Sequence, residues 1–588
     1  MTIFHPTPRQ ILRRPIDDAV HSNLTGFPDV LRRVYAARTI DDAADLDHSL
    51  GRLPPPDLLD GIAGMVDILA DAIRHNRRIT VLADFDADGA TSCAVAIRGL
   101  RALGAERIDY LVPNRFEYGY GLTPEIVEAI RPRTPDVLLT VDNGISSLDG
   151  VTAAKRLGWT VLITDHHLPG RELPNADAIV NPNMAGDRFP GKALAGVGVM
   201  FYVLGALRSH LRTAGWFGAD RTEPNLAELL DYVALGTVAD VVPFDRVNRI
   251  LVEQGLKRIR AGRAHPGLRA LLGVAGRNAV NLTAEDLAFA VGPRLNAAGR
   301  LEDMSLGIEC LLADDMGPAT EHAAILDSLN RDRREIERQM KADALDLIAR
   351  LEQSGTCDHA GGLCLFDESW HQGVVGLLAS RLKDRLNRPV IAFARGSNGE
   401  LKGSARSTPD LHIRDLLSDL ATQHPGLLNK FGGHAMAAGL SLREDRLEAF
   451  RELFQELVAE RLGAPRATHP LASDGELGPA EFRIETAELL RMAGPWGQSF
   501  PEPLFDGDFI VRRRSIVGRE HLKFTLEPPG SGIAIDAIAF FVESPERWLD
   551  CDHLRVAYRL DVNEYRGART LQLKIDYMES AAAPGDAR

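Results

Sequence analysis

Four short apolar runs, each followed by a stretch long enough for a helix, constrain the fold of this chain more than any other feature. The runs are ITVLA at 79–83, IDYLV at 108–112, DVLLTV at 136–141 and TVLIT at 160–164. After the first run, the segment from Ala90 to Leu103 has helical spacing of apolar residues. Alternating strands and helices fold into a parallel sheet with helices on both faces. The sequence therefore predicts an α/β fold with a doubly wound parallel sheet.

The rest of the chain predicts further domains, because 588 residues exceed what one hydrophobic core supports. Residues 321–352 predict one long amphipathic helix that connects two domains. Its predicted apolar stripe consists of Ile325, Leu329, Ile336, Met340, Ile348 and Leu351. The predicted domains are a leader at 1–50, the sheet domain at 51–320, the connecting helix at 321–352, a second α/β domain at 353–462 and a β-rich domain at 463–580.

The C-terminal region contains five short strand-like runs: FIVRRRSIVG, HLKFTL, IDAIAFF, HLRVAYRLDVNEY and TLQLKIDYM. They predict a small β-barrel of the OB type, although a β-sandwich also fits. The stretch 511–524 is locally basic, and it predicts a face that grips single-stranded nucleic acid, with a solvated edge strand as the alternative. Its basic residues are Arg512, Arg513, Arg514, Arg519 and Lys523, and the expected stacking groups are Tyr558, Tyr565 and Arg566.

Composition excludes few functions. The net charge of −14 argues only weakly against a nucleic-acid partner, because carboxylates that hold cations also make a chain acidic. The five cysteines are scattered and never spaced as Cys-x-x-Cys, which predicts neither disulfides nor a zinc finger. No apolar run reaches the length of a membrane span, and the opening MTIFHPTPRQILRRP lacks the apolar core of a signal peptide. We therefore expect a cytoplasmic protein.

An acidic turn follows the first apolar run. In ADFDADGATS, Asp84, Asp86 and Asp88 precede Gly89. The spacing imitates an EF-hand calcium loop, but the twelfth position is Val95 where a bidentate Glu is required, and the preceding segment is strand-like. An acidic turn by itself is more often a helix cap or a solvated loop than a metal site.

Three further acidic motifs change that interpretation. Asp142 follows the run at 136–141, and Asp165, His166 and His167 follow the run at 160–164. In a doubly wound sheet these positions fall at the carboxyl ends of parallel strands, where such folds bind ligands. Asp240 lies later, in GTVADVVP, and it is a candidate metal ligand only because the other motifs are present. The sequence therefore predicts one cluster of carboxylates and histidine in a crevice.

Crowded carboxylates repel one another unless cations lie between them. Aspartates with a histidine suit Mg²⁺ or Mn²⁺, and the imidazole shifts the preference toward Mn²⁺. Two such ions roughly 3.5–4 Å apart activate a water and stabilise both oxygens of an in-line displacement at phosphorus. The motifs therefore predict a two-metal phosphoesterase.

These motifs, in this order, resemble those of the DHH phosphoesterases. VGPRLNAAGRL at 291–301, SWHQGVVGLLASRL at 369–382, KGSARS at 402–407 and FGGHAMAAG at 431–439 extend the resemblance to the RecJ-type exonucleases and their DHHA1 domain. The similarity covers nearly the whole chain after the first fifty or so residues. It implies a manganese- or magnesium-dependent exonuclease that degrades single-stranded DNA from 5′ to 3′, releases 5′-mononucleotides and acts in repair and recombination. A monomer and contact with a single-strand-binding protein are also expected by this resemblance.

The resemblance also implies roles for individual residues. One ion would be held by Asp84, Asp86 and Asp142, and the other by Asp88, Asp142, His166 and Asp240. Asp165 would orient the histidines, and His167 would face the scissile phosphate. The implied contacts to the 5′-phosphate or backbone are Arg115, Ser404, Arg406, Gly433 and His434, and the implied DNA path is lined by Arg294, Asn296 and Arg300.

Two functional alternatives remain open at this point. A DHH phosphodiesterase for short oligonucleotides or cyclic dinucleotides would generally lack an OB-like tail, and a degenerate DHH protein that only binds single strands would have lost metal motifs. Two further patterns, GYGLTP at 119–124 and GVGVMF at 196–201, lack the third glycine of a dinucleotide site. They predict tight turns or close backbone packing.

Overall fold

A computed structural model gives the fold. It describes residues 9–17, 23–114, 117–118, 120–353, 361–396, 399–462, 470–565 and 568–581. The chain forms two compact units, and each is discontinuous in sequence. The sheet unit comprises Pro15–Asn330 and Glu481–Pro503, and the barrel unit comprises Met1–Arg14, Arg331–Ala480 and Leu504–Arg588.

Strands and helices are numbered in chain order. The strands are β1 Ile11–Arg13, β2 Ile79–Ala83, β3 Ile108–Leu111, β4 Val137–Val141, β5 Thr160–Thr164, β6 Ala178–Val180, β7 Leu363–Phe366, β8 Val390–Arg395, β9 Glu400–Arg406, β10 Lys430–Gly433, β11 Ala437–Arg443, β12 Leu471–Ser473, β13 Phe505–Val517, β14 His521–Glu527, β15 Ile535–Ala539, β16 His553–Tyr565 and β17 Ala568–Ser580. The helices are α1 Asp29–Ala36, α2 Ile62–Arg74, α3 Ala87–Leu103, α4 Pro124–Ile130, α5 Leu148–Arg156, α6 Gly196–Thr213, α7 Leu230–Ala239, α8 Arg246–Arg260, α9 Pro266–Val274, α10 Ala284–Asp286, α11 Gly292–Leu301, α12 Ser305–Leu312, α13 Met316–Gln353, α14 Val375–Leu386, α15 Ile413–Gln423, α16 Leu447–Leu462 and α17 Ile484–Met492. In the described part of the chain, no helix is both long and apolar enough to cross a membrane.

The sheet unit is built on a parallel sheet with strand order β3-β2-β4-β5-β6. Strands β2 to β5 coincide with the four predicted runs, which confirms the predicted parallel sheet. Strand β6 was not predicted, because its three residues are too few to show a period. The chain order reverses between β2 and β4, so their carboxyl ends flank the topological switch point where open α/β sheets bind ligands.

Helices cover this sheet and bury its apolar side chains. Ile126 and Ile130 of α4 and Val151 of α5 pack on Leu82 and Leu138 of the sheet, and all five are at most 2% exposed. Helices α3 and α6 also contact the sheet strands. Burying an aliphatic side chain of this size contributes about 1.5–3 kcal/mol. The apolar runs therefore place the polar residues that follow them at one edge of a rigid sheet.

The barrel unit contains a second α/β sheet and a closed barrel. The sheet has the order β10-β11-β9-β8-β7, with β7 and β8 parallel and the other pairs antiparallel. The barrel has the order β13-β14-β15-β17-β16 and closes by pairing of β13 with β16. A five-stranded closed barrel confirms the predicted OB-type architecture and excludes the sandwich alternative.

An N-terminal strand belongs to the barrel unit. Strand β1 pairs in parallel with β12, and Ile11 packs with Leu471 against a cluster that contains Tyr577. The guanidinium of Arg13 binds the carboxylate of Asp506, which is 1% exposed, at 2.8 Å. Part of the predicted leader therefore completes the base of the C-terminal barrel.

The predicted connecting helix is present as α13, which begins five residues earlier than expected. The predicted apolar stripe is wrong at Ile325, which is 49% exposed, whereas Leu329 and Ile336 are half-buried and Met340 and Ile348 are buried. The buried positions of this helix are Ala319, Ala323, Leu326, Asn330, Arg333, Met340, Ala344 and Ile348. Small alanines occupy several of these positions, so side-chain hydrophobicity alone did not reveal all of the buried face. The side chain of Leu351 lies outside the described residues.

Candidate metal centre

The turn from β2 into α3 gathers the first three carboxylates. Asp86 caps α3, and its carboxylate accepts the N–H groups of Asp88 and Gly89, each at 3.0 Å. Asp88 lies in the first turn and is 1% exposed. A Cβ on Gly89 would lie 2.4 Å from the carbonyl oxygen of Asp84, so the glycine permits the turn to close. The positive end of the helix favours the negative charge of these side chains.

Asp142 follows β4 in a left-handed backbone conformation with φ of +62°. Its neighbour Asn143 ties β4 to β2, since its Nδ2 donates to the carbonyls of Val141 at 2.9 Å and Leu82 at 3.2 Å. Asp142 is 2% exposed, and its Oδ1 has no hydrogen-bond partner in the described part of the chain. A buried carboxylate oxygen without a donor is costly, and a cation would satisfy it.

Asp165 follows β5 and fixes the two histidines. Its Oδ1 accepts the backbone N–H of His166 at 2.7 Å and of His167 at 3.0 Å, and it lies 2.7 Å from Nδ1 of His167. Its Oδ2 accepts the N–H of Ile145 at 2.9 Å. Burial raises the pKa of Asp165, but the hydrogen bond to His167 and its charge outweigh burial, so the pKa lies below its usual value. Burial lowers the pKa of His167, while the bond to Asp165 and the nearby carboxylates raise it overall to about 9.

The ring of His166 lies among three carboxylates. Its Nε2 is 3.1 Å from Oδ1 of Asp142, 3.4 Å from Oδ2 of Asp240 and 3.9 Å from Oδ2 of Asp88. Asp240 caps the carboxyl end of α7, where the helix dipole adds negative potential. The imidazole and carboxylate atoms therefore converge on one small volume, as the ligands of a cation do.

Three groups of ligand atoms lie close enough to hold a metal ion, with all atoms of a group within 4.8 Å of one another. The groups are Asp84, Asp86 and Asp142; Asp88, His166 and Asp240; and Asp142, His166 and His167. Every predicted metal ligand belongs to at least one of them. Asp142 belongs to two groups, and the whole set lies at the switch point between β2 and β4.

Burial and mutual repulsion hold protons on these carboxyls in the absence of cations. Burial, followed by the charge of Asp86, raises the pKa of Asp88 to about 7. Burial and then the charge of Asp88 raise the pKa values of Asp142 and Asp240 well above the ordinary range. Divalent cations reverse this effect, because they compensate the crowded negative charge. The donor set of oxygens with one imidazole fits Mn²⁺ or Mg²⁺.

The structure adds Tyr120 to the site, a residue that the sequence did not indicate. Its hydroxyl lies 3.2 Å from Nδ1 of His167, and its ring packs edge-on against His167 and Phe85, with centroids 5.8 and 6.1 Å away. Gly121 beside it has a φ of +74°, as expected for the turn predicted at GYGLTP. The approach of Tyr120 to His167 depends on the sheet, because 47 residues separate them, and no local pattern reports it.

The predicted DNA-path residues Arg294, Asn296 and Arg300 lie on α11. Arg294 is buried and binds Oδ1 of Asp327 through Nε at 2.9 Å and Nη2 at 2.8 Å. Oδ1 of Asn296 accepts the N–H of Ala87, the first residue of α3, at 2.9 Å. Arg300 is half-buried, and Arg115 lies outside the described residues. Helix α11 therefore supports the start of α3.

The predicted 5′-phosphate residues come together in the barrel unit. Ser404 and Arg406 lie on β9, and Nη1 of Arg406 donates to Oγ of Ser404 at 2.9 Å. Strand β11 pairs with β9, with Ala437 opposite Arg406, and Gly433 pairs with Ala438. His434 lies in the turn between β10 and β11, and its N–H donates to the carbonyl of Ala437 at 2.7 Å. These four residues lie close together on the second sheet, with Ser404, Arg406 and Gly433 half-buried and His434 exposed.

The barrel changes the interpretation of the basic stretch 511–524. A β-bulge between Val511 and Arg513 interrupts the alternation of side chains along β13, and both Arg512 and Arg513 are exposed. Arg512 binds Glu527 at 2.7 Å, so part of this basic charge is already compensated. The prediction that Tyr558 offers a stacking surface is wrong, because it is 0% exposed in the barrel core. The side chain of Tyr565 and the whole of Arg566 lie outside the described residues.

Comparison with known proteins accounts for nearly the whole chain. Residues 78–237 match the DHH family, N-terminal domain, residues 359–460 match the DHHA1 domain, and residues 473–577 match the RecJ OB domain. A protein of Dickeya dadantii described as single-stranded-DNA-specific exonuclease RecJ is 53% identical over 573 residues, which cover 97% of this chain and 99% of that protein.

Two crystal structures of RecJ from Thermus thermophilus share the fold. The Mn²⁺ complex superposes with a TM-score of 0.79 at 30% identity and covers 98% of this chain and 80% of that chain. The Mg²⁺ complex has a TM-score of 0.74 at 28% identity and covers 98% of this chain and 78% of that chain. With its DHH, DHHA1 and RecJ OB domains and this likeness over nearly its full length, the chain belongs to the RecJ family of DHH proteins.

Proposed function

We propose that this chain is a divalent-metal-dependent exonuclease that degrades single-stranded DNA. The observation that carries the proposal is the cluster around Nε2 of His166, where Asp142 and Asp240 lie 3.1 and 3.4 Å away at the switch point of the sheet. Relatives over the full length are described as single-stranded-DNA-specific exonucleases, and RecJ structures carry Mn²⁺ or Mg²⁺. The closed barrel supports a DNA substrate over a short oligonucleotide or a cyclic dinucleotide.

The site would hold two ions. Asp84, Asp86 and Asp142 would bind one, and Asp88, Asp142, His166 and Asp240 the other, with Asp142 shared. The proximity of their ligand atoms and the membership of Asp142 in two of the ligand groups support this assignment. When bound, the ions lower the pKa of a coordinated water and neutralise charge on the phosphate during its in-line displacement.

The chain's own residues orient the scissile phosphate. The Asp165 carboxylate fixes Nδ1 of His167, which leaves Nε2 of the imidazolium as a hydrogen-bond donor. Burial lowers the pKa of His167, but the bond to Asp165 and the nearby carboxylates raise it overall in the metal-free site, and Nε2 of His167 would donate to a phosphate oxygen. Tyr120 would limit the freedom of the same ring. Water adds to phosphorus as the P–O3′ bond breaks, so the product carries a 5′-phosphate.

Polarity from 5′ to 3′ and release of 5′-mononucleotides are proposed from the family resemblance. The patch of Ser404, Arg406, Gly433 and His434 would contact the terminal phosphate, since an arginine beside a hydroxyl suits a phosphate oxygen. Arg115 has the same proposed role but lies outside the described residues. Arg300 would contact the strand, while Arg294 and Asn296 would shape its path through the protein contacts they make.

The same resemblance supports three broader proposals: that the chain acts as a monomer, that it is cytoplasmic, and that it contacts a single-strand-binding protein in repair and recombination. Sedimentation and pull-down from native extract test the first and third. Localisation of the tagged chain in cells tests the second.

The decisive experiment follows nucleotide release from 5′- and 3′-labelled single strands with Mn²⁺, Mg²⁺ or EDTA. We expect immediate release of the 5′ label as mononucleotide, late release of the 3′ label, and no release in EDTA. Asp142→Ala should abolish release, whereas Asp149→Ala, which removes an exposed acid on α5 of the same unit, should not. Metal-independent release, or an active Asp142→Ala protein, would refute the proposal.

A further inference from the structure

The first residue of α6, Gly196, contacts the carboxylate of Asp88 in the proposed metal centre. The N–H of Gly196 donates to Oδ2 of Asp88 at 2.6 Å, and the N–H of Val197 donates to Oδ1 at 3.1 Å. The residue at the N-cap, Ala195, provides no side-chain hydrogen bond. Asp88, which belongs to α3, therefore serves as the capping carboxylate of α6. Both its oxygens are held by the backbone of another helix.

The opposite side of Gly196 faces Asp142. A Cβ on this glycine would lie 2.5 Å from Oδ1 and 2.6 Å from Cβ of Asp142. Real side chains do not approach that closely, so Asp142 or the start of α6 would have to move. The absence of a side chain at position 196 thus permits the present position of Asp142.

The backbone around Gly196 is held in place. Asn248 of α8 is 0% exposed, and its Nδ2 donates to the carbonyls of Ala193 at 2.7 Å and Pro243 at 2.8 Å. The first carbonyl lies three residues before Gly196, and the second lies three residues after Asp240. The chain segments before α6 and after Asp240 are therefore tied together, and a displaced α6 would also disturb Asp240.

We propose that Gly196 is a positioning residue that sets the separation between the carboxylates of Asp88 and Asp142. Its amide fixes one carboxylate, and its bare Cα determines how closely the other approaches. This inference rests on the proposed two-ion function, in which Asp88 binds one ion and Asp142 binds both. Altering a residue that hydrogen-bonds to a metal ligand or positions it typically weakens metal binding by about 10–100-fold. Gly196 would therefore determine whether the site accepts a pair of ions.

The test compares Gly196→Ala with Gly205→Ala, which makes the same change in the same helix where an added Cβ meets nothing within 4 Å. Three measurements are made on the full chain. Electron paramagnetic resonance with Mn²⁺ as the probe counts bound ions and detects the spin coupling of a pair. Thermal unfolding in EDTA reports folding of the metal-free protein, and hydrolysis of single-stranded DNA gives kcat and KM.

We expect Gly196→Ala to bind Mn²⁺ about 10–100-fold more weakly, to lose the coupled spectrum, and to lose kcat with KM for DNA changed less than about threefold. In EDTA it should still unfold cooperatively, but at a lower temperature than Gly205→Ala because its Cβ displaces Asp142 or the start of α6, and Gly205→Ala should keep wild-type metal binding. Wild-type Mn²⁺ affinity, spectrum and kcat in Gly196→Ala would overturn the inference. If the wild-type protein itself binds no pair of Mn²⁺ ions, the proposed two-ion function fails, and this inference fails with it.

A second variant, Val197→Pro, tests the inference if Gly196→Ala does not fold. Val197→Pro removes the second N–H donor to Asp88 without adding a Cβ near Asp142, at a first-turn position where proline is tolerated. Gly196 before it has no Cβ to clash with the proline ring, but its N–H does clash, so this variant perturbs both backbone donors to Asp88. Weaker Mn²⁺ binding with normal folding in EDTA would support the inference, and unchanged binding would overturn it.

Discussion

Replacing Asp142 with Asn should make the metal-free protein more stable, by an amount that grows with pH. The pKa of the folded carboxyl is raised well above 3.8 by burial and by its neighbour Asp88, whereas the unfolded chain ionises near 3.8. The stability that this group contributes is therefore present below the unfolded pKa and is lost as the pH rises toward the folded pKa. The loss is about 1.36 kcal/mol per pH unit. While the pH lies between the unfolded and the folded pKa, the advantage of Asp142→Asn should therefore grow by up to about 1.36 kcal/mol for each pH unit.

The assay is hydrogen exchange in EDTA at pH 5, 6 and 7, corrected for intrinsic rates, with peptides that cover β2 and β4. These strands are buried over all five residues, so their exchange reports opening of the sheet unit. Asp142→Asn removes no hydrogen bond to Oδ1 in the described structure, and Asp149→Asn on the exposed surface is the matched control. Saturating Mn²⁺ should make the wild-type protein more stable than Asp142→Asn, because only the wild-type protein has the carboxylate shared by both ions. A ligand at a concentration one hundred times its Kd adds about 2.7 kcal/mol to the free energy of unfolding.

A flat difference across these pH values would refute the reasoning, as would a metal-free Asp142→Asn protein that is less stable than wild type. Either result would mean that the site is stabilised without cations by contacts other than those described.

Three further predictions concern separate parts of the molecule. Arg406→Lys should raise KM for 5′-phosphorylated strands about tenfold and change KM for 5′-hydroxyl strands little, since lysine cannot form the bidentate contact; steady-state kinetics on both substrates check this. Arg13→Ala should destabilise the barrel by about 1–3 kcal/mol in urea unfolding, because Asp506 stays buried and loses the nearer of its two cations, Arg13 at 2.8 Å and Arg555 at 3.8 Å. Calorimetric Mn²⁺ affinity should fall as the pH drops below about 7, where Asp88 takes up a proton.

The sequence by itself determined four of the five strands of the first sheet and most of the proposed metal ligands. Runs such as 79–83 and 160–164 form strands because they are short and consist mainly of apolar and β-branched residues, and they coincide with β2 and β5. The aspartates that follow them had to meet, because the carboxyl ends of adjacent parallel strands share one edge. Residue chemistry and strand order were therefore sufficient to predict that Asp84, Asp142 and His166 lie close together.

Only the tertiary structure decided the contacts that join distant segments. Tyr120 meets His167, and Gly196 meets Asp142, because helices pack on the sheet, and no local period reports which backbone approaches which side chain. The bulge after Val511 and the burial of Tyr558 follow from closure of the barrel, which alternation along one strand does not reveal. Strand β1 pairs with β12 although 460 residues separate Ile11 from Leu471. Local sequence determines which elements form, but it does not encode which partner buries each of them, since that depends on the packing of the whole chain.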